Sequence, residues 1–327
     1  MTSSGSIEMD VAIGEAPVVA AIEGRSPLSI AMRRLRRDKV SLVAGALIVL
    51  LVIIAIFAPL IVQWLGHPPD EPHYDKLSPA VGAPIGPLGG ISSEHILGVE
   101  PGNGRDVFSR IVYGARVSLL VAVLASAVSV IIGTAIGMMA AYVGGWVDYV
   151  LSRLMDVLLA FPLILFGIAL VSVVPDGSLG LSGNGLRIGI LVFLIGFFNW
   201  PYIGRIIRAQ TLSLKEMEFV EAARGEGRGA THIMFREILP NLIPSILVYS
   251  TLIIPTNILL EAGLSYLGVG IRPPAPSWGD MLSTAVDSFT YDPMFLIIPG
   301  VAIFITVIAF NLFGDGLRDA FDPRSSR

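Results

Sequence analysis

Long apolar runs dominate this chain of 327 residues, and polar segments separate them. Each run is roughly twenty residues long or more, which is the length that a helix needs to cross about 30 Å of hydrocarbon. The pattern therefore predicts an all-α integral membrane protein with about six transmembrane helices.

The apolar runs divide the chain into segments. We place the six spans at residues 40–64, 117–142, 149–174, 188–207, 242–267 and 295–313, with Pro201 interrupting the fourth. The predicted organisation is an N-terminal tail at 1–38, a first transmembrane helix at 39–65, an extracytoplasmic loop at 66–116, a core at 117–313 with five further spans and a charged loop at about 209–241, and a C-terminal tail at 314–327. The second span carries small residues that permit close helix contact: Gly133, Ala135, Gly137, Ala140 and Ala141.

Basic residues fall in two blocks. The first directly precedes the first span: Arg33, Arg34, Arg36, Arg37 and Lys39. The second surrounds the charged loop between spans four and five: Arg205, Arg208, Lys215, Arg224, Arg228 and Arg236. By the positive-inside rule both blocks face the cytoplasm. The prediction is a multi-pass membrane protein with cytoplasmic N- and C-termini and a disordered tail over residues 1 to about 28.

Composition supports a membrane protein and removes several kinds of chemistry. The chain is 54% hydrophobic and only 15% charged, whereas soluble domains carry about 25% charged residues. It contains no cysteine, which excludes disulfides, thiol nucleophiles and cysteine metal sites. The long loop holds imidazoles and carboxylates: His67, Asp70, Glu71, His73 and His95. Because Pro68, Pro69 and Pro72 favour extended backbone and no regular spacing groups these side chains, we expect no metal site.

The charged loop between spans four and five contains a motif. Glu221, Ala222, Ala223 and Gly227, followed by Leu239-Pro240-Asn241, resemble the EAA loop of ABC-transporter permease subunits. The resemblance implies a short cytoplasmic coupling helix that docks into an ATPase subunit. The residues it assigns to ATPase coupling are Glu221, Ala222, Ala223, Arg224, Gly227 and Pro240. Gly225, Glu226 and Gly229 depart from the residues more usual in the family, so the partner has a compensating group or the helix is short.

Two further segments strengthen the resemblance. One comprises His95–Gly98, Gly104–Arg110 and Tyr113–Arg116, and the other runs from Leu264 through Gly270 to the Pro273-Pro274 and Pro276-Ser277-Trp278-Gly279 signature. Both are similar to the C-type permeases of dipeptide, oligopeptide and nickel importers. The resemblance implies the type I ABC importer permease fold and a location in the bacterial plasma (inner) membrane. It also implies four kinds of partner: a B-type permease, two ATPase subunits or a fused pair, an extracytoplasmic substrate-binding protein, and the lipid bilayer.

Three charged residues are predicted to lie within the membrane: Arg153, Asp156 and Glu261. Arg205, at the end of span four, belongs to the second basic block. Arg153 and Asp156 are three residues apart on one helical face and can pair, although a substrate role for Asp156 stays open. Glu261 lies toward the outer end of span five. It either meets Arg272 or a group of the partner permease, or it lines the pore and favours cationic parts of a substrate.

Nucleotide and catalytic motifs are missing from the sequence. There is no Gly-x-x-x-x-Gly-Lys-Ser/Thr loop, and the Gly225–Gly229 stretch follows no strand and has the wrong spacing for phosphate. We expect no enzyme activity, no cofactor on this chain and no nucleic-acid partner, with ATP and Mg on the partner ATPases. The predicted function is import of di- and oligopeptides; import of nickel or oligosaccharides, and a stand-alone secondary transporter, are the alternatives.

Overall fold

The structure is a computed structural model that describes residues 27–175, 177 and 182–322. Most of the predicted N-terminal tail and residues 323–327 lie outside the described residues. In the described part, helices dominate and the only extended pairings are isolated β-bridges in the loop between residues 66 and 106. The predicted all-α class is confirmed.

The helices differ in length from short connectors to elements that exceed a membrane span. In chain order they are α1 Pro27–Leu35, α2 Lys39–Ile56, α3 Ala58–Leu65, α4 Val107–Val143, α5 Gly145–Leu159, α6 Leu163–Val173, α7 Gly183–Lys215, α8 Glu218–Gly225, α9 Ala230–His232, α10 Leu239–Tyr266, α11 Trp278–Val286 and α12 Met294–Phe321. A 3₁₀ turn covers Tyr74–Lys76, and a π-helical turn at Ile233–Ile238 leads directly into α10. Five of these helices are long and apolar enough to span a membrane.

Helices α4 and α7 form the centre of the bundle and run parallel. A Cβ on Gly133 would lie 2.7 Å from the Trp200 carbonyl oxygen, and one on Gly137 would lie 2.4 Å from that of Gly204. The two backbones therefore touch, as small residues allow between membrane helices. Of the small residues predicted to make such contacts, Ala140 and Ala141 are buried as well, whereas Ala135 is exposed.

The predicted third span is two helices instead of one. Helices α5 and α6 meet at an angle of 79°, because Pro162 precedes α6 and has no N–H to continue the hydrogen-bond ladder of α5. Together they still cross the bundle once. Asp148 at the start of α5 pairs with Arg208 near the end of α7, while the α7 start holds Asn184, which pairs with the Arg272 backbone at the other end. The described residues thus pass through the bundle six times when α5 and α6 count as one span, which agrees with the predicted number.

Four predicted boundaries need correction. Helix α4 begins at Val107, ten residues before the predicted span, because the Asp106 side chain caps it by accepting from Ser109 N–H. Pro201 is buried inside an unbroken α7, since membrane helices tolerate proline in their interior. The first span breaks at Phe57, just before Pro59.

The C-terminal boundary also moves. Helix α12 continues to Phe321 instead of ending near residue 313. Its last turns pack against other elements: Gly316 lies against Ser41 in α2, and Arg34 in α1 donates to the Asp322 carbonyl oxygen at 2.7 Å. The predicted C-terminal tail is therefore helical over its first half.

Candidate functional site

The segment from residue 217 to 238, which we name the α8 segment, has one face anchored in the bundle. Helix α8 presents Val220 and Ala223 to a cluster of buried side chains from α4, α7, the π-helical turn and α10. The other members of this cluster are Met138, Ile203, Ile207, Ile233, Ile238, Leu242 and Ile253. This apolar contact fixes the short helix to the ends of the central helices.

The opposite face of α8 is exposed. Glu221 and Ala222 point away from the cluster, and Met217, just before the helix, is 51% exposed. Glu221 lies in the first turn, where a carboxylate stabilises the positive end of the helix dipole. Arg224 turns back toward α4 and lies 5.9 Å from the centroid of the Tyr142 ring. The motif is thus split between residues that anchor the helix and residues that are free to meet a partner.

Glycines continue the α8 segment beyond the helix. Helix α8 ends at Gly225 after eight residues, so the alternative of a short helix matches the structure. A Cβ on Gly225, Gly227 or Gly229 would meet nothing within 4 Å, and Gly227 has a φ of +75°. Glu226 and Arg228 form an exposed ion pair at 3.3 Å. The exposed Pro240 follows in the first turn of α10.

The ion pair predicted between Arg153 and Asp156 exists, with the Arg153 Nη1 3.3 Å from Asp156 Oδ2. Arg205 of α7 contacts the other carboxylate oxygen of Asp156. Sequence analysis missed this second arginine, and it also missed the Asp148–Arg208 pair, whose closest atoms are 2.5 Å apart. Asp156 and Arg205 are 49 residues apart in sequence, and Asp148 and Arg208 are 60 apart. Helical spacing predicts only contacts within one helix, so it predicted neither pair.

Glu261 is fully buried within the chain. The Ser265 hydroxyl donates to Glu261 Oε1 at 2.7 Å, and Ser118 and Ser277 also interact with this carboxyl. Arg272 instead uses its backbone to pair with Asn184. Of the alternatives for Glu261, the contact with Arg272 is wrong, because Ser118 of α4, Ser265 and the α11 cap Ser277 surround the carboxyl.

A network of amide and hydroxyl side chains joins α4, α7 and α10. Asn199 donates to Asn257 at 2.7 Å, Asn257 donates to Ser126 at 2.8 Å, and the Ser126 hydroxyl donates to the Ala122 carbonyl oxygen. Sequence analysis did not single out these residues. The available signal was the presence of asparagines inside apolar runs, since polar side chains in membrane helices commonly bond across helices.

The loop between residues 66 and 106, which we name the long loop, is folded instead of extended. Glu100 is fully buried and pairs with Arg105 at 2.6 Å and with Arg110 at 3.4 Å. Arg110 also lies 3.5 Å from Asp280 and donates to the Pro274 carbonyl oxygen at 3.0 Å. Burial raises the pKa of the Asp280 carboxyl, and Arg110 opposes that rise.

The long loop also brings three histidines together. One ring nitrogen each from His67, His73 and His95 lies within 4.8 Å of the others. The expectation that Pro-rich backbone would keep these side chains apart was wrong, because turns at several glycines fold the loop back on itself. The pairing of His73 N–H with the Gly104 carbonyl oxygen at 3.0 Å shows one such return of the chain.

Comparison with known families decides the identity of this fold. The sequence model described as "Binding-protein-dependent transport system inner membrane component" matches residues 133–327. The chain belongs to that family. A second model, described as "N-terminal TM domain of oligopeptide transport permease C", matches residues 26–79. The two matches together cover both ends of the permease and leave the long loop largely between them.

Curated relatives match over nearly the full length of this permease. It is 39% identical over 308 residues to the glutathione transport system permease protein GsiD of Pectobacterium atrosepticum, which covers 94% of this chain and 95% of that protein. It is 39% identical over 299 residues to the dipeptide transport system permease protein DppC of Alkalihalophilus pseudofirmus, covering 91% and 90% of the two chains.

A solved structure supports the fold. The MetNI methionine ABC transporter in an inward-facing conformation contains a chain with a TM-score of 0.51 and 18% identity, covering 65% of this permease and 97% of that chain. The protein is an ABC importer permease subunit with several membrane-spanning helices. Permease subunits of this family are normally non-catalytic.

Proposed function

We propose that this permease imports small peptides, in the size range from glutathione and dipeptides to oligopeptides, as a C-type subunit beside a B-type permease. The names of the full-length relatives support this substrate class. An extracytoplasmic binding protein delivers the peptide, and two ATPase subunits or a fused pair drive the cycle. Because the binding protein selects the substrate first, the test is uptake of labelled glutathione and dipeptides by the reconstituted complex. Uptake of nickel or an oligosaccharide in their place would overturn the peptide assignment.

The proposal places the long loop outside and the α8 segment in the cytoplasm, with both termini inside. The basic block before α2 and the one around α8 support this orientation, and four of the six crossings separate them. The chain has no cysteine, so single cysteines report orientation without background. Ser92→Cys should react with a membrane-impermeant thiol reagent in intact cells, and Ser213→Cys should not. Labelling of Ser213→Cys from outside would overturn the orientation.

The α8 segment is the proposed ATPase docking element. The observation that carries this proposal is the division of α8 into a buried face and an exposed face. Val220 and Ala223 hold the helix to the bundle, while Glu221 and Ala222 are exposed. A rigid connection of this kind can transmit movement of an ATPase to the spans, since packed helices move as units between alternative arrangements.

Charge reversal at Glu221 tests the docking element. Glu221→Lys removes a charge-assisted hydrogen-bond acceptor and an acid at the helix start, while touching no buried contact of the chain. Uptake and substrate-stimulated ATP hydrolysis in reconstituted vesicles should both fall at least about tenfold, since hydrogen bonds to charged groups contribute roughly 1.5–3 kcal/mol. Glu216→Lys is the matched control, because Glu216 is also exposed and only caps α7.

A second variant separates docking from folding. Ala222→Trp adds a large side chain on the exposed face, so the thermal unfolding midpoint should stay at the wild-type value while uptake is lost. Ala223→Trp forces the same side chain into the buried cluster and should lower the midpoint as well. Wild-type uptake by both Glu221→Lys and Ala222→Trp would mean that α8 is only a solvated connector.

A further inference from the structure

The three histidines of the long loop form a compact group outside the helix bundle. The ring centroids lie 5.0 Å apart for His67 and His73, 4.6 Å for His67 and His95, and 4.9 Å for His73 and His95. His95 is buried, and the other two are half-buried. Three imidazoles from separate parts of a loop therefore share one small volume.

The backbone of the loop holds this group in place. Gly104 has a φ of +67°, and a Cβ there would lie 2.5 Å from the His73 carbonyl oxygen. Only glycine permits such close passage of the two backbone segments in this conformation. The His67 N–H donates to the Ser109 hydroxyl at 3.2 Å, which fixes the first histidine to the start of α4. The grouping thus follows from the fold of the loop.

Hydrogen bonds show which ring nitrogen carries the proton in two of the histidines. His95 Nδ1 lies 2.9 Å from Asp106 Oδ1, and His73 Nδ1 lies 3.3 Å from the Gly104 carbonyl oxygen. Because an ionised carboxylate and a carbonyl only accept, each Nδ1 carries the proton in neutral imidazole, and each Nε2 carries a lone pair. A carboxylate or carbonyl behind the imidazole is the arrangement that metal-binding histidines almost always have.

Ring packing alone leaves polar atoms without partners. His95 Nε2 and His67 Nδ1 are both buried and accept or donate no hydrogen bond. Buried polar atoms are normally satisfied by protein, water or an ion. An ion that takes the lone pairs of the three rings would satisfy these atoms together, whereas a contact between neighbouring imidazoles satisfies neither.

We propose that His67, His73 and His95 bind a divalent transition-metal ion, with Zn²⁺ the ion that the donor set fits best. Imidazole suits zinc, copper and nickel, and three histidines with an open fourth position is an established zinc donor set. Nitrogen ligands at about 2.0–2.1 Å in a tetrahedron are about 3.4 Å apart. The ring nitrogens of the three histidines lie within 4.8 Å of one another, and small rotations of the rings would bring them to that separation.

The ion would be a resident part of the loop instead of transported cargo, because the three histidines belong to the loop and not to the spans. It would tie three positions of the loop to Asp106, the cap of α4. Asp106 acts as a positioning residue: it orients the His95 ring and fixes its tautomer. This inference does not depend on the proposed peptide substrate or on the ATPase docking.

Metal binding by the full-length chain, purified through a tag without histidines, tests the proposal. After equilibrium dialysis against Zn²⁺, wild type should retain one chelator-sensitive zinc ion per chain, and zinc should raise its thermal unfolding midpoint reversibly. Co²⁺ should give the visible absorption of a tetrahedral nitrogen site. The chain has only four histidines and no cysteine, so His232→Ala in the α9 helix is a matched control that should bind normally.

Variants assign the ligands. His73→Gln and His95→Gln should lose the stoichiometric zinc and the zinc-dependent rise of the unfolding midpoint. Asp106→Asn keeps a residue that caps helices well and should weaken zinc binding by about 10–100-fold; restoration of affinity by Asp106→Glu would support its positioning role. If wild type binds no chelator-sensitive zinc, or if His73→Gln and His95→Gln bind as wild type does, the metal site is wrong.

Discussion

The long loop and the α8 segment are both rich in glycine and charge, yet the chain uses these residues in opposite ways. They lie at the two ends of α4, a helix of 37 residues and hence about 55 Å long. In the long loop a Cβ on Gly98 would lie 2.0 Å from the Gly89 carbonyl oxygen. In the α8 segment a Cβ on Gly225 or Gly229 would meet nothing. Packing within the chain explains most glycines of the long loop, with Gly102 as an exception, and it explains none of those in the α8 segment.

The charged residues show the same difference. Glu100 in the long loop is fully buried between Arg105 and Arg110. Glu226 and Arg228 in the α8 segment pair at the surface, with the Arg228 side chain 52% exposed. The long loop thus holds its buried acid between two arginines of the same chain. A segment with an anchored face, open glycines and exposed charges is suited to receive another molecule.

The largest expected effect is that of Gly104→Val in the long loop. The new side chain would collide with the His73 backbone and occupy a φ of +67°, so the loop should not fold as described. We expect a large fall in the thermal unfolding midpoint in detergent and poor recovery of the protein. Gly102→Val is the matched control: its φ of +75° is similar, but nothing lies within 4 Å. Equal loss for both variants would mean that backbone strain, and not close packing, governs this loop.

Arg110→Met should have the next largest effect. It leaves the buried Glu100 and the partly buried Asp280 with one cation fewer, and breaking a buried ion pair costs about 3–5 kcal/mol. The free energy of unfolding should fall by that amount. Lys76→Met removes an exposed pair with Glu94 in the same loop and should leave it nearly unchanged. Similar losses for Arg110→Met and Lys76→Met would remove the distinction between buried and exposed charge on which the comparison rests.

The sequence predicted the helices well and the loop badly. Apolar runs locate spans because hydrocarbon requires them, and the motif at Glu221 located a short helix between α7 and α10. The bend between α5 and α6 was missed although Pro162 was visible, since composition alone continued the apolar run through it. Contacts such as Asp156 with Arg205 join distant positions, and no spacing rule applies to them.

The histidines show why the loop was predicted badly. Pro68, Pro69 and Pro72 indicate extended backbone locally, but the course of the loop is decided by Gly104, whose role depends on what passes beside it. A glycine in the sequence shows only that an unusual backbone conformation is allowed at that position. Whether a neighbour occupies the space, as at Gly104, or leaves it empty, as at Gly225, becomes visible only in three dimensions.

Gly227→Val tests the open side of the comparison with a smaller effect. Gly227 has a φ of +75° but no neighbour within 4 Å, so the cost is backbone strain alone, about 1–2 kcal/mol. The variant should fold and insert, with a modest fall in the unfolding midpoint. Gly225→Ala, at a helical position without neighbours, should not lower the midpoint at all. A collapse of the Gly227→Val protein comparable with that of Gly104→Val would show that the α8 segment is packed by contacts within the chain.

Arg228→Met should have the smallest effect on stability. Its partner Glu226 remains in water when the pair is broken, and exposed pairs typically contribute only about 0.2–1 kcal/mol. Arg224→Met is the informative companion, because Arg224 lies over the Tyr142 ring and so connects α8 to α4. We expect the unfolding midpoint of Arg228→Met to equal that of wild type, while Arg224→Met lowers it slightly and loosens α8 in hydrogen exchange. A larger loss for Arg228→Met than for Arg224→Met would mean that the exposed pair, and not the contact with α4, holds this segment, and the division into an anchored and an open face would have to be redrawn.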